Sequence, residues 1–187
     1  MENRLKNYFR NYVFLFSIAG IVVILDQWTK YLVRTNLEVS EMWAPWDWLL
    51  PYARIVHWHN TGAAFGMFQQ FSIVFTLLAI VVAGAIIYYF PKVPRTDWII
   101  RVALSLQLGG AIGNLIDRLS RGSVTDFVSV GNFAVWNVAD ASIFVGTIVL
   151  IIGMWLKERS QEADQTDQIS EPEGSPKDSL SNPGTDE

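Results

Sequence analysis

The 187-residue chain has no cysteine and little charge. The missing thiols exclude disulfide frameworks, thiolate metal sites and cysteine nucleophiles together. Only 17% of residues are charged, against about 25% in ordinary soluble domains. No His-Glu-x-x-His helix is present to carry metallopeptidase chemistry, and no internal repeat is visible. What the chain does have is apolar mass: 51% of residues are hydrophobic and 13% aromatic. The net charge of -4 is unevenly spread. Residues 160–187 hold eight acids and one base, which leaves 13 basic and 10 acidic residues, a net +3, for residues 1–159. A mildly basic, very apolar body therefore carries an acidic tail.

A helix needs roughly 20 mostly apolar residues to cross a bilayer. Four windows meet that condition: about 12–33, 71–90, 98–119 and 137–156. Arg4, Lys6 and Arg10 precede the first window as they would in a signal peptide, but no small-residue cleavage site follows, so it is expected to remain as a span. Lys and Arg near span ends orient the chain. Arg4, Lys6, Arg10, Lys92, Arg95, Lys157 and Arg159 fall on one side of a four-span protein, which predicts cytoplasmic termini. Residues 34–70 and about 120–136 then face outward, with Arg34, Arg54 and Arg121 as a weaker counter-bias.

The outward segments read as more than loops. Trp43, Trp46, Trp48 and Trp58, half of all the tryptophans, suit a membrane–water interface. Arg54–His59 has strand composition behind the helix breakers Pro45 and Pro51, while Val124–Val130 alternates and ends on a Gly131-Asn132 turn. The expected fold is an all-α integral membrane protein, four transmembrane helices with a small extracytoplasmic β-sheet cradle. Residues 1–159 form a single domain, and 160–187 a disordered acidic tail, because that composition buries too little apolar area to offset ordering.

Charges inside apolar spans are costly and mark function or its support. Asp26 lies seven residues from the outer end of span one, about 10 Å deep. Asp140 enters from outside at a similar level, Asp117 ends span three, and Asp126 sits between spans three and four. Four carboxylates thus converge just beneath the outer surface. Asp26 with Lys30, and Asp117 with Arg118, have a cation within one turn and look neutralised. Asp126 and Asp140 have none. Two such acids in a poorly hydrated place share one proton, which is the arrangement of an aspartic protease. Rival assignments exist: Asp140 suits a helix cap, Asp126 a turn, and buried carboxylates also serve proton-coupled transporters. His57 and His59 share a strand face, but no third metal ligand accompanies them. Gly109 and Gly113 have the spacing of a close helix-packing surface.

Five strings, in order, carry these residues: Asp26-Gln27-Trp28-Thr29-Lys30, Asn60-Thr61-Gly62-Ala63-Ala64-Phe65-Gly66, Gly113-Asn114-Leu115-Ile116-Asp117-Arg118, Gly122-Ser123-Val124-Thr125-Asp126-Phe127 and Trp136-Asn137-Val138-Ala139-Asp140. From about residue 12 to 156 the chain resembles lipoprotein signal peptidase (signal peptidase II), a family of bacterial inner-membrane aspartic endopeptidases. The resemblance implies that Asp126 and Asp140 are the catalytic dyad. It implies that Asn60, Gly62, Asn114, Arg118 and Asn137 line the site or hold substrate, and that Asp26, Lys30 and Asp117 support the fold. It implies cleavage of a diacylglyceryl-prolipoprotein just before its lipidated cysteine, contact with membrane lipids, and inhibition by globomycin-type compounds. No metal, cofactor or nucleic acid is implied, and a monomer is expected. Phe65, Phe127, Trp136 and the apolar span faces are expected to accept the lipid. The family usually has Phe where Trp136 stands, and the acidic tail lies outside the shared pattern.

Overall fold

The computed structural model describes residues 2–62 and 71–170. Its helices are α1 (Glu2–Asn36), α2 (Ser72–Tyr89), α3 (Trp98–Arg121) and α4 (Val138–Ser170), and its strands are β1 (Met42–Trp43), β2 (Ala53–Asn60) and β3 (Val124–Val130). Among the described residues, four helices are long and apolar enough to cross a membrane: Tyr8–Asn36, Ser72–Lys92, Trp98–Arg121 and Val138–Glu162. Half of the α3 span is buried inside the protein, against 17% of each of the others. So α3 is the central helix, and the other three turn apolar sides outward. Ile73, Val74, Leu77, Leu78 and Val81 of α2 are all exposed, the condition of a helix dissolved in hydrocarbon.

Small residues let α3 occupy the centre. A Cβ on Gly109 would stand 2.6 Å from Val22 Cβ of α1, and one on Gly113 2.6 Å from Asp26 Oδ2. A Cβ on Gly110 would collide with the Ala139 carbonyl of α4. The glycine spacing is thus a packing surface, and it serves two neighbours rather than one. Leu15, Ala19, Ala83, Ile86, Phe90 and Leu108 form the apolar cluster where α1, α2 and α3 meet. At its outer end α3 stops on Gly122, whose φ of 77° lets its N–H close on the Arg118 carbonyl at 3.0 Å.

The chain then turns into the sheet, ordered β1-β2-β3 and antiparallel throughout. Sequence composition located β2 and β3; it missed β1, a two-residue edge where Met42 pairs Val56 and Trp43 pairs Ile55. After β3, Gly131 (φ 54°) turns the chain so that Trp136 bonds back to Val128, N–H to carbonyl both ways at 2.8 and 3.0 Å. That hairpin delivers the chain to the start of α4.

The fourth helix departs from expectation. Residues 160–170 continue α4 instead of being disordered. The run from Met154 to Ser170 has neither glycine nor proline and is rich in Glu, Gln, Lys, Arg and Ala, so nothing in it stops a helix. Arg159 also stacks on Trp155 one turn earlier, at 4.4 Å. The remainder of the expected tail, 171–187, lies outside the described residues.

Candidate active site

Two groups of polar side chains meet at the outer ends of α1 and α3. The first is an ion-pair network without water access. Lys30 Nζ lies 2.8 Å from Asp26 Oδ2 and 3.3 Å from Asp117 Oδ2, and all three side chains are fully buried. Arg34 reaches Asp117 at 3.6 Å. Gln27 Nε2 donates to Asp26, to the Gly113 carbonyl and to Asp117 at 3.1, 3.1 and 3.3 Å. Asp26 Oδ1 accepts the Ala139 N–H of α4 at 2.9 Å, and Asp117 Oδ2 accepts the Thr125 N–H of β3 at 3.0 Å. One network therefore fixes α1, α3, α4 and β3 to each other. This is the neutralised pair of acids expected of Asp26 and Asp117, although the cations on Asp117 are Lys30 and Arg34 rather than Arg118. Gln27, Arg34 and Thr125 were not singled out from the sequence; Gln27's place beside Asp26 was the available signal.

The second group holds Asp126 of β3 and Asp140 of α4. Asn137 joins them: its Nδ2 donates to Asp126 Oδ1 at 2.6 Å and its backbone N–H donates to Asp140 Oδ2 at 3.3 Å. Asn60 Nδ2 donates to Asp126 Oδ2 at 2.8 Å, and Asn114 Nδ2 to Asp140 Oδ1 at 2.8 Å. Each of the four carboxylate oxygens thus accepts one amide N–H. An ionised carboxylate offers about four lone-pair sites, so each acid keeps room for a proton or a water. Asp126 is 1% exposed, whereas Asp140 is half-buried and open to an incoming group.

The local folding explains the convergence. Asn137 caps α4: its Oδ1 accepts the Asp140 N–H at 3.0 Å while Asp140 accepts the Asn137 N–H, a reciprocal capping box. Asp140 is thus the reciprocal partner of the cap rather than the cap itself, and this does not compete with a place in the site. Asp126 depends on a bulge. In β2 the pairing shifts between Ile55 and Trp58, so Trp58 opposes Asp126 and Asn60 opposes Val124. Without the extra residue, Asp126 would oppose His57 and Asn60 would point to the other face. The bulge brings Asn60 to Asp126.

Burial, and then the charge of Asp140, push the Asp126 carboxyl up to about 7 from an ordinary 3.8, against the pull of the amides of Asn60 and Asn137. Among the described residues, neither Asp126 nor Asp140 forms an ion pair within 4 Å. Lys30 instead donates to Asn114 Oδ1 at 3.0 Å, and Asn137 Nδ2 donates to the same oxygen at 3.2 Å. The two groups are thus in contact through Asn114.

The remaining expected site residues divide. Gly62 N–H donates to Asn60 Oδ1 at 2.9 Å and sets its amide. Arg118 feels the charges of Asp140, Asp126 and Asp117, and its guanidinium lies 5.7 Å from the Phe75 ring centre. Phe127 is 6% exposed, packed inside and not placed to receive lipid, whereas Trp136 is half-buried. Phe65 lies outside the described residues. His57 and His59 do share a face, with Nε2 atoms 3.2 Å apart, and His57 Nδ1 is taken by the Leu37 carbonyl at 2.9 Å.

Comparison with known proteins bears on this arrangement. The family model described as Signal peptidase (SPase) II matches residues 18–156, a stretch that contains both acid groups. The chain belongs to the signal peptidase II family. It is 37% identical over 154 residues to the lipoprotein signal peptidase of Halalkalibacterium halodurans, covering 80% of this chain and 97% of that protein. It is 40% identical over 154 residues to the one from Hydrogenovibrio crunogenus, covering 78% and 87%. A bacterial membrane enzyme solved by the in meso method at 2.3 Å superposes with a TM-score of 0.68 and 30% identity, over 87% of this chain and 94% of that one. Signal peptidase II is a peptidase family, so the chain is a hydrolase of the multi-pass bacterial membrane class.

Proposed function

We propose that this chain removes the signal peptide from diacylglyceryl-modified prolipoproteins, cutting just before the lipidated cysteine, with Asp126 and Asp140 as its catalytic dyad. The observation that carries the assignment is the meeting of two acids from separate elements on one asparagine, every oxygen amide-bonded and neither acid ion-paired among the described residues. Near neutral pH the pair shares one proton, since two adjacent desolvated carboxylates do not both ionise. The ionised acid takes a proton from water as the oxygen bonds to the scissile carbonyl carbon. The protonated acid gives its proton to the carbonyl oxygen. Collapse of the resulting diol returns one hydroxyl proton to the now ionised acid and breaks the C–N bond, the amine of the cysteine leaves with the proton held by the other acid, and the signal peptide leaves as a carboxylic acid. General acid–base steps of this kind supply about 10²–10⁴-fold each.

The remaining residues support this chemistry. Asn60, Asn114 and Asn137 hold the carboxylates at fixed angles, with Gly62 setting Asn60. Arg118, half-buried and within the electrostatic reach of both acids, would receive substrate carbonyls. The Asp26–Lys30–Asp117 network keeps α1, α3, α4 and β3 in register beneath them. A signal peptide is itself a membrane helix whose cleavage point lies at the outer boundary, the level assigned to the dyad. Two acyl chains on the cysteine then hold the bond there, an orientation effect that removes entropy from the barrier. Globomycin-type inhibitors are expected to compete for the same place. A proton-coupled transporter is less well supported, since the buried carboxylates gather at one end of the bundle and form no path across it.

The test is purified protein incubated with lipidated prolipoprotein. Asp126→Asn and Asp140→Asn should each lower turnover by about 10²–10⁴-fold while the variants insert and melt as the parent does. Near-normal turnover by either variant removes the dyad.

A further inference from the structure

The end of the bundle away from the carboxylates holds a second built feature. A cleft of about 580 Å³ opens between α1 and the start of α3. Its walls carry Arg10, Asn11, Ser17, Arg95, Trp98 and Arg101 beside apolar side chains of α1, and no carboxylate lines it among the described residues. Arg101 is 4% exposed. It donates to Asn11 Oδ1 at 3.1 Å and to the Val93 carbonyl at 3.0 Å, with its guanidinium 4.4 Å from the Phe90 ring centre. Arg95 Nε donates to the same Asn11 oxygen at 3.3 Å. Both guanidiniums thus reach the same Asn11 oxygen, and Asp97 pairs with Lys157 at 2.6 Å.

Depth identifies the partner's class. Asn11 precedes Asp26 by fifteen residues, so the cleft lies about 22 Å along α1 from the acid network, at the opposite membrane boundary. Exposed Trp98 is an interfacial anchor at that level. Cationic pockets between transmembrane helices at such a boundary suit anionic lipid headgroups, and guanidinium matches phosphate oxygens in fork geometry. The apolar wall along α1 favours a lipid over a soluble anion, because free phosphate gains nothing from Phe9 or Val13.

We propose that this cleft binds the phosphate of an anionic phospholipid, with Arg10, Arg95 and Arg101 around the headgroup and the acyl chains along α1. The site is separate from the carboxylates and stands whether or not they cleave a peptide. The experiment is native mass spectrometry of the full chain in detergent with phosphatidylglycerol, phosphatidylcholine or inorganic phosphate, paired with melting curves. Phosphatidylglycerol should be retained over phosphatidylcholine and should raise the melting temperature. Arg10→Gln with Arg95→Gln should weaken phosphatidylglycerol retention roughly tenfold or more and leave phosphatidylcholine retention unchanged; Arg10→Lys with Arg95→Lys should keep most of the preference. Equal retention of the two lipids by the parent overturns the site, as does undiminished phosphatidylglycerol retention by the Gln variant. Displacement of the lipid by millimolar inorganic phosphate overturns the lipid assignment in favour of a free anion. If the Gln variant does not melt cooperatively, the parent's lipid preference and the Lys variant decide.

Discussion

Asp126 and Lys30 are both buried charges by type, yet their surroundings treat them differently. Asp126 has amides and a neighbouring acid, so its carboxyl is pushed up to about 7. A group raised this way holds its proton in the folded protein where the unfolded chain has already lost it. Its contribution to stability is therefore complete below about pH 4 and declines as the pH climbs to about 7. On the proposed mechanism the proton shared by Asp126 and Asp140 polarises the scissile carbonyl, so cleavage should fall on the alkaline side with an inflection near 7 in the pH profile of kcat/KM. Asn137→Ala removes a hydrogen bond that favours the ionised form, and should move that inflection upward. A downward or absent movement would show that Asn137 does not act through Asp126. Lys30 is different in kind. Lys30→Met strands Asp26 as an uncompensated charge and leaves Asp117 with Arg34 alone, and should cost about 3–5 kcal/mol. Asp97→Asn, in the more exposed pair with Lys157, should cost less than about 1 kcal/mol. Melting curves in detergent compare the two.

At the scale of elements, the helices follow from apolar length and the sheet from residue alternation, but their contacts follow from the absence of side chains. Gly113 faces Asp26 and Ala139 at once, so Gly113→Ala forces the ion network and the start of α4 apart and should destabilise by about 1–3 kcal/mol. Gly84 on α2 has nothing within 4 Å of an added Cβ. Gly84→Ala should be neutral or stabilise by up to about 1 kcal/mol. Melting temperatures of the two variants would distinguish packing from helix propensity. The glycine spacing of α3 was visible in the sequence, whereas the identity of the neighbours was not. The bulge in β2 was likewise invisible. It adds one residue without a composition signal of its own, yet it decides which face Asn60 shares with Asp126.

For the whole molecule, function depends on orientation in the membrane. Lysine and arginine flank the helix ends opposite the carboxylates, which predicts cytoplasmic termini and an outward site. A chain without cysteine offers a clean test. Asn132→Cys, in the exposed turn after β3, should react with an impermeant maleimide on intact cells, and Thr96→Cys, between α2 and α3, only after permeabilisation. The reverse pattern would place the dyad on the cytoplasmic side and end the match with a signal peptide's outer cleavage point.

The chain's own order of residues was enough to set four spans, two of three strands, the pairing of Asp26 with Lys30 and the distinction between neutralised and unpaired acids. Those properties depend on neighbours within a turn or on runs of one polarity, and such neighbours are written in the sequence. The joining of Asp126 to Asp140 through Asn137, the seat of Asn60, the sharing of Lys30 between two helices and the converging arginines at the far end all depend on atoms brought together from distant segments. Only packing around the bare face of α3 decided those, because hydrogen bonds and ion pairs act over a few ångströms and sequence separation says nothing about them.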